Sequence, residues 1–134
     1  MCRLSGKIMD ANAVPLLDRA VLQKLRDGLD DEICKVFVEN FIALLPDRAE
    51  RVRRTLTTGD LRGALDAVLS LKSSSQMVGA ERLAEFATDL EHSLRVDTRH
   101  AEPARLLPQL AAANISQITT CGRQTTDLLQ KYVA

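Results

Sequence analysis

Apolar residues recur at spacings of three and four along four long stretches of the chain, and none of these stretches alternates convincingly with a period of two. This periodicity predicts amphipathic α-helices and no sheet. Each helix must bury its apolar stripe against another element. Four helices joined by short connections do this most simply as an antiparallel up-and-down bundle. We therefore predict an all-α fold, a four-helix bundle with a short extra N-terminal helix.

Polar residues and glycines between the stretches predict where the helices begin and end. Asp18 and Asp60 are expected to cap the first and third helices, because a short side-chain oxygen can accept a hydrogen bond from the first turn. The second helix should begin near Asp30 or Asp31, where acidic side chains suit the positive end of the helix dipole. Gly59 and Gly79 are expected to end the second and third helices in the left-handed conformation that glycine adopts readily.

The stripes themselves name a candidate core. Pro46 should kink the second helix, because it removes a backbone donor. The last helix should begin near Pro103 or after Pro108. The stripe expected in the second helix comprises Ile33, Phe37, Phe41, Leu44, Val52 and Leu56. In the fourth helix it comprises Leu83, Phe86, Ala87, Leu90 and Leu94, and in the last helix Leu107, Ala111, Asn114, Ile118, Cys121, Thr125, Leu128 and Tyr132.

The length and composition indicate one folded domain over residues 1–134, with residues 1–16 loosely ordered. Hydrophobic residues make up 46% of the 134 residues, and the formal net charge is +0. A neutral chain with no Trp and one Tyr lacks the basic and aromatic surface that nucleic acids require. Its apolar runs are too short for a membrane span or a signal peptide, so we expect a cytoplasmic protein without nucleic-acid or membrane partners.

The cysteines and histidines do not suggest a metal site or a cofactor. Cys2, Cys34 and Cys121 are odd in number and widely spaced, which argues against structural disulfides and zinc. Cys34 and Cys121 are expected in the core and Cys2 on a loose end. His92 and His100 have no obvious third ligand. We predict no metal and no cofactor.

The third helix has two different faces on a helical wheel. Ser75 is the polar exception on the predicted core face, where its hydroxyl could bond back to a carbonyl one turn earlier. Leu69 lies about 115° from the centre of that face, among polar neighbours, and a single exposed leucine is ordinary in itself. The core face comprises Leu61, Ala64, Leu65, Val68, Leu71, Ser75 and Val78. The other strip comprises Arg62, Asp66, Leu69, Lys72, Ser73 and Gln76.

From about residue 17 to residue 91 the chain resembles the histidine-containing phosphotransfer (HPt) domain family of bacterial phosphorelays. The upstream segment "FVENFIALLPDRAERVRRTLTTGD" is similar to the second helix of that family, and the last helix matches only as an amphipathic stretch. The residues that match the phosphotransfer helix and its continuation are Val68, Leu69, Ser70, Leu71, Lys72, Ser73, Ser74, Ser75, Gly79, Ala80, Leu83, Leu90 and Glu91.

The chain departs from the family pattern at two positions. The resemblance aligns the phosphoacceptor histidine with Leu69 and the glycine four residues later with Ser73. It also assigns to Lys72 the role of steadying the phosphoryl group. A histidine accepts a phosphoryl group through the lone pair of a neutral ring nitrogen, which leucine lacks. We therefore expect no phosphate transfer and no enzymatic activity, with the surrounding surface retained.

As partners the resemblance implies a response-regulator receiver domain or a histidine kinase, bound through the strip of Arg62, Asp66, Leu69, Lys72, Ser73 and Gln76. One alternative is an active phosphorelay protein in which Leu69 replaces a natural histidine or another histidine accepts phosphate. The "HSLR" at His92 looks briefly like the missing motif, but it is expected on the solvent side without the small residues that should follow. Another alternative is an unrelated helical scaffold. The serines have no adjacent base that would make them nucleophiles.

Overall fold

The structure, a computed structural model, describes residues 13–134. In this part of the chain every regular element is helical, and the predicted all-α class is confirmed. A short 3₁₀ turn, Asp97–Arg99, follows the fourth helix. The α-helices are α1 (Arg19–Gly28), α2 (Asp31–Thr57), α3 (Leu61–Met77), α4 (Glu81–Val96) and α5 (Pro103–Val133).

Aspartate side chains cap the first three helices, and the caps at Asp18 and Asp60 are those that the sequence predicts. Asp18 Oδ1 accepts a hydrogen bond from the Ala20 amide at 3.0 Å, and Asp60 Oδ1 accepts one from the Gly63 amide at 3.0 Å. Asp30 caps α2 in the same way. Each carboxylate satisfies a backbone donor that the first turn of a helix leaves without a partner.

Two glycines end α2 and α3 with positive φ, +74° at Gly59 and +73° at Gly79. At Gly79 the reason is also steric, because an added Cβ would lie 2.7 Å from the carbonyl oxygen of Asp18. That carbonyl belongs to the start of α1, and the Asp18 amide donates to the Gly79 carbonyl at 2.7 Å. The start of α1 is therefore hydrogen-bonded to the turn between α3 and α4.

The four long helices form a bundle in which α3 and α5 occupy diagonal corners. α3 packs on α2 and α4, and α5 packs on the same two helices. One apolar core fills the space between them. All five residues of the predicted α4 stripe, Leu83, Phe86, Ala87, Leu90 and Leu94, are buried, so that prediction is confirmed.

The predicted stripe of α2 is wrong by one residue at two places. Ile33 and Leu44 are 52% and 47% exposed, whereas their neighbours Cys34 and Leu45 are buried. Both pairs are apolar, so the spacing alone could not decide which member faces inward. α2 also continues through Pro46 as one uninterrupted helix.

The last helix begins at Pro103 and continues through Pro108. Most of its predicted stripe is buried, but Leu129 rather than Leu128 completes it. The thiols of Cys34 and Cys121 are buried and free, as expected, and burial raises the pKa of the Cys121 thiol.

The N-terminal end of the described chain is packed against α4. Val14 is buried, and its carbonyl oxygen accepts a hydrogen bond from Arg82 Nε at 2.7 Å. The Leu16 carbonyl accepts one from the Glu81 amide at 3.0 Å. The expected loose order of residues 1–16 stays a prediction, since residues 1–12, with Cys2, lie outside the described residues.

Candidate functional site

The strip predicted on α3, which we call the outer strip, comprises Arg62, Asp66, Leu69, Lys72, Ser73 and Gln76. Its polar ends are exposed, whereas Leu69 and Lys72 are each partly buried. Val68, next to Leu69, has no exposed surface. The predicted orientation of α3 is thus the one observed, with Leu69 at the middle of the strip and in partial contact with solvent.

The buried face of α3 fixes this orientation. Val68, Leu71 and Ser75 are all 0% exposed. These residues follow one another at spacings of three and four, so they lie on one side of the helix. Leu69 is one residue out of phase with them, about 100° further around the helix, and cannot enter the core without removing them from it.

Lys72 is held by α4 through what we call the α3–α4 charge cluster, Lys72, Glu91 and Arg95. Lys72 Nζ lies 2.7 Å from Glu91 Oε1, and Arg95 Nε lies 2.9 Å from Glu91 Oε2. The side chains of Lys72 and Glu91 are 26% and 15% exposed, whereas that of Arg95 is 50% exposed. Lys72, which the helical wheel places on the outer strip, is thus partly buried and paired.

The cluster changes the titration of Glu91. The hydrogen bond from Lys72 and then that from Arg95 lower the pKa of the Glu91 carboxyl from its ordinary value, against a smaller opposing effect of burial. Glu91 is therefore charged at neutral pH. The positive charge of Lys72 is compensated at close range before any partner arrives.

On its other side, the outer strip adjoins a shallow groove between α2 and α3 of about 180 Å³, which we call the α2–α3 groove. Ser70, the neighbour of Leu69, is part of its wall, and Leu44 provides an exposed apolar side chain. The groove is lined by Leu44, Asp47, Arg48, Arg51, Ala67 and Ser70. It places two arginines beside an apolar surface.

The hydroxyl groups of Ser74 and Ser75, which follow Lys72 on α3, differ in their hydrogen bonding. Ser74 Oγ donates to the Ser70 carbonyl at 2.8 Å. Ser75 is fully buried, yet its hydroxyl has no hydrogen-bond partner among the described residues. The back-bond that we expected for Ser75 is thus made by its neighbour Ser74 instead. His92, the nearest histidine in sequence, lies exposed on α4.

Residues 13–134 contain no group of three or more His, Cys, Asp or Glu side chains arranged to hold a metal ion. Within the same range, no helix combines the length and the apolar character needed to cross a bilayer.

Comparison with known proteins identifies the family. The family model described as "Hpt domain" matches residues 36–130, well over half of the chain, including the whole outer strip. The chain belongs to the Hpt domain family. It is an HPt module of two-component phosphorelay signalling. Members of this family interact with receiver domains and histidine kinases.

A solved structure agrees with this assignment. The chain is similar to histidine-containing phosphotransfer protein B (HptB) from Pseudomonas aeruginosa PAO1, with 25% sequence identity and a TM-score of 0.74. The match covers 89% of this chain and 95% of that one. A comparison with curated proteins gave no match.

The sequence predicted the residues of the outer strip but missed their neighbours in space. Glu91 and Arg95 come from α4, and Glu91 is 19 residues away from Lys72 in sequence. The apolar spacing predicts Leu44 in the core, and no pattern in the sequence indicates Arg48 or Arg51. The signal for Glu91 was its place in the Leu90-Glu91 pair of the family resemblance, although no pattern in one sequence names its partner.

Proposed function

We propose that this HPt module binds a receiver domain through its outer strip and carries no phosphate itself. The observation that supports this most directly is Leu69, which occupies the position that the resemblance assigns to the phosphoacceptor histidine. Its side chain is partly exposed in the middle of the strip. The module would then act as an adaptor, or as a competitor of a true phosphotransfer protein. A histidine kinase is the second candidate partner.

The loss of transfer follows from the chemistry of the side chain. Phosphoryl transfer to a histidine needs the lone pair of a neutral imidazole nitrogen, and a leucine side chain has only saturated carbon. None of the six residues of the outer strip is a histidine. We also propose that the protein has no enzymatic activity, that residues 1–134 form one domain and that its location is cytoplasmic.

Docking, unlike transfer, does not need the imidazole. It depends on shape, on the area that loses contact with water and on the charges around it. Leu69 provides an apolar centre, and Arg62, Asp66 and Gln76 provide a polar rim. A small interface of this type gives a transient complex, with a dissociation constant on the order of micromolar and sensitivity to salt.

The transfer half of the proposal is tested with labelled phosphate. After incubation with a phosphorylated receiver domain or an active kinase, the protein should gain no acid-labile label. Leu69→His should gain it, and Leu69→His with Ser73→Gly should gain more, because the glycine leaves room for an incoming active site. Label on the parent protein that disappears in His92→Ala would show instead that His92 accepts phosphate.

The docking half is tested by titrating receiver domains encoded near this gene. Leu69→Asp should weaken binding by at least about tenfold, because the interface would have to desolvate a carboxylate at its centre. A matched apolar-to-acid control is Ala113→Asp, which is exposed on α5 at the diagonal corner. His92→Asp on α4 is a second control. Both should bind like the parent.

Two outcomes would reject docking at the outer strip. If Leu69→Asp binds as tightly as the parent, the receiver domain uses another surface. If the parent binds neither receiver domains nor a histidine kinase, the module is a helical scaffold with the HPt fold.

A further inference from the structure

We propose that the positive charges that attract the receiver domain are those of Arg48 and Arg51 in the α2–α3 groove, and that Lys72 contributes little. This inference rests on the proposed docking function and adds the part of the surface that supplies its positive charge. The expected occupant is a carboxylate side chain of the receiver domain with an apolar side chain beside it. Arg48 and Arg51 would contact the carboxylate, and Leu44 the apolar group.

Lys72 is a poor source of attraction because its charge already has a close partner. Its ammonium group lies 2.7 Å from Glu91, on a side chain that is only 26% exposed. A carboxylate from a partner would have to compete with Glu91 for the same three donors. Breaking one partly buried pair to form another changes the binding free energy little, since the first interaction is lost when the second forms.

Arg48 and Arg51 are in the opposite situation. No ion pair joins either side chain to another described residue. Arg51 is exposed and Arg48 partly exposed. Asp47 lines the same groove without an ion pair among the described residues, so the groove keeps a net charge of one positive. Guanidinium groups bind carboxylates through parallel hydrogen bonds, which suits them to this role.

The groove also has the apolar surface and the position that the role requires. Leu44 is 47% exposed at its wall, so an apolar side chain lies beside the two arginines. Ser70 lines the groove and directly follows Leu69. A partner centred on Leu69 therefore reaches the groove without a second, separate contact.

The experiment compares charge reversals of equal size. Arg48→Glu with Arg51→Glu should weaken receiver binding on the order of tenfold and reduce its salt dependence. The new glutamates would repel the carboxylate of the receiver domain, and like charges at a docking surface slow association and raise the free energy of the complex. The matched control is Arg105→Glu with Arg123→Glu, two exposed arginines on α5. It has the same net charge and should change affinity less than about twofold. Circular dichroism confirms that both double variants fold.

Three further variants sharpen the test. Lys72→Met should change affinity less than about twofold in the parent. Asp47→Asn removes the one negative charge in the groove and should strengthen binding about twofold to threefold. In Glu91→Gln, Lys72 loses its charged partner, so Lys72→Met should weaken binding in that background more than in the parent.

The outcomes separate this inference from the docking proposal. If receiver domains bind the parent and Leu69→Asp weakens binding, but the groove reversal behaves like the α5 control, docking stands and the inference is wrong. The inference also fails if Lys72→Met weakens binding as much as the groove reversal does. If the parent binds no receiver domain at all, the proposed function has failed, and the inference falls with it.

Discussion

The two faces of α3 differ in how far a change in one side chain affects the rest of the molecule. On the inner face, Val68, Leu71 and Ser75 have no contact with solvent, and Val68 and Leu71 belong to the apolar core. On the outer strip, Leu69 lies next to Val68 in sequence and is partly exposed. A change on the inner face alters the packing of several helices. A change at Leu69 alters one group on a surface.

This difference shows how the fold would persist without the phosphoacceptor whose loss we propose. The position that the resemblance assigns to the histidine is on the outer strip, where the bundle does not depend on the side chain for its core. A leucine in place of an imidazole there would remove the chemistry that we propose is absent, and would leave the stripes of all four long helices intact. Fold and transfer are therefore separate properties of α3, determined by residues about 100° apart around the helix.

The largest expected effect tests the two faces directly. Leu71→Ala should lower the free energy of unfolding by about 2–5 kcal/mol, because it removes buried methyl groups and leaves a cavity. Leu69→Ala should lower it by less than about 1 kcal/mol, because less buried surface is lost. Urea unfolding followed by circular dichroism measures both. Equal losses in the two variants would mean that Leu69 belongs to the core, and the division of α3 into two faces would be wrong.

A smaller effect on stability is expected from the α3–α4 charge cluster, on one side of the outer strip. The α3–α4 charge cluster should stabilise the fold by about 1 kcal/mol, after allowance for solvent screening of partly exposed charges. Glu91→Gln should remove this contribution at neutral pH. Glu39→Gln changes the charge by the same amount at an exposed position on α2 and should leave the free energy of unfolding nearly unchanged.

The pH dependence of this effect has a definite sign. The pKa of Glu91 is lowered in the folded protein, so its contribution is complete above the ordinary carboxyl pKa of 4.5 and is lost as the pH falls through the lower folded value. The difference in stability between the parent and Glu91→Gln should therefore shrink in that acidic range. A difference that stays constant there, or grows, would show that Glu91 does not act through its charge.

The sequence predicted the fold better than the site, and the reason is physical. Helix ends depend on local chemistry, and Asp18, Asp60 and Gly79 were identified because a cap or a positive φ needs particular residues. The rotation of α2 depends on its neighbours, and adjacent apolar pairs such as Leu44 and Leu45 left it open. The pairing of Lys72 with Glu91 depends on how α3 and α4 pack, which no local spacing contains.

The smallest expected effect concerns the one polar residue on the inner face of α3. Ser75 is 0% exposed, and its hydroxyl has no partner among the described residues. By contrast, the buried Thr125 Oγ1 on α5 donates to the Cys121 carbonyl at 2.7 Å. A buried hydroxyl without a partner costs free energy, whereas a bonded one repays most of its desolvation.

Ser75→Ala should therefore raise the free energy of unfolding by about 0.5 kcal/mol, because it removes an unpaired polar group at the expense of a very small cavity and adds helix propensity. Thr125→Val keeps the shape of its side chain but loses a hydrogen bond, and should lower the free energy of unfolding by about 1 kcal/mol. Thermal and urea unfolding of the two variants beside the parent measure the contrast. If Ser75→Ala is instead destabilised as much as Thr125→Val, the Ser75 hydroxyl is hydrogen-bonded in solution, and the inner face of α3 contains a polar contact that joins it to its neighbours.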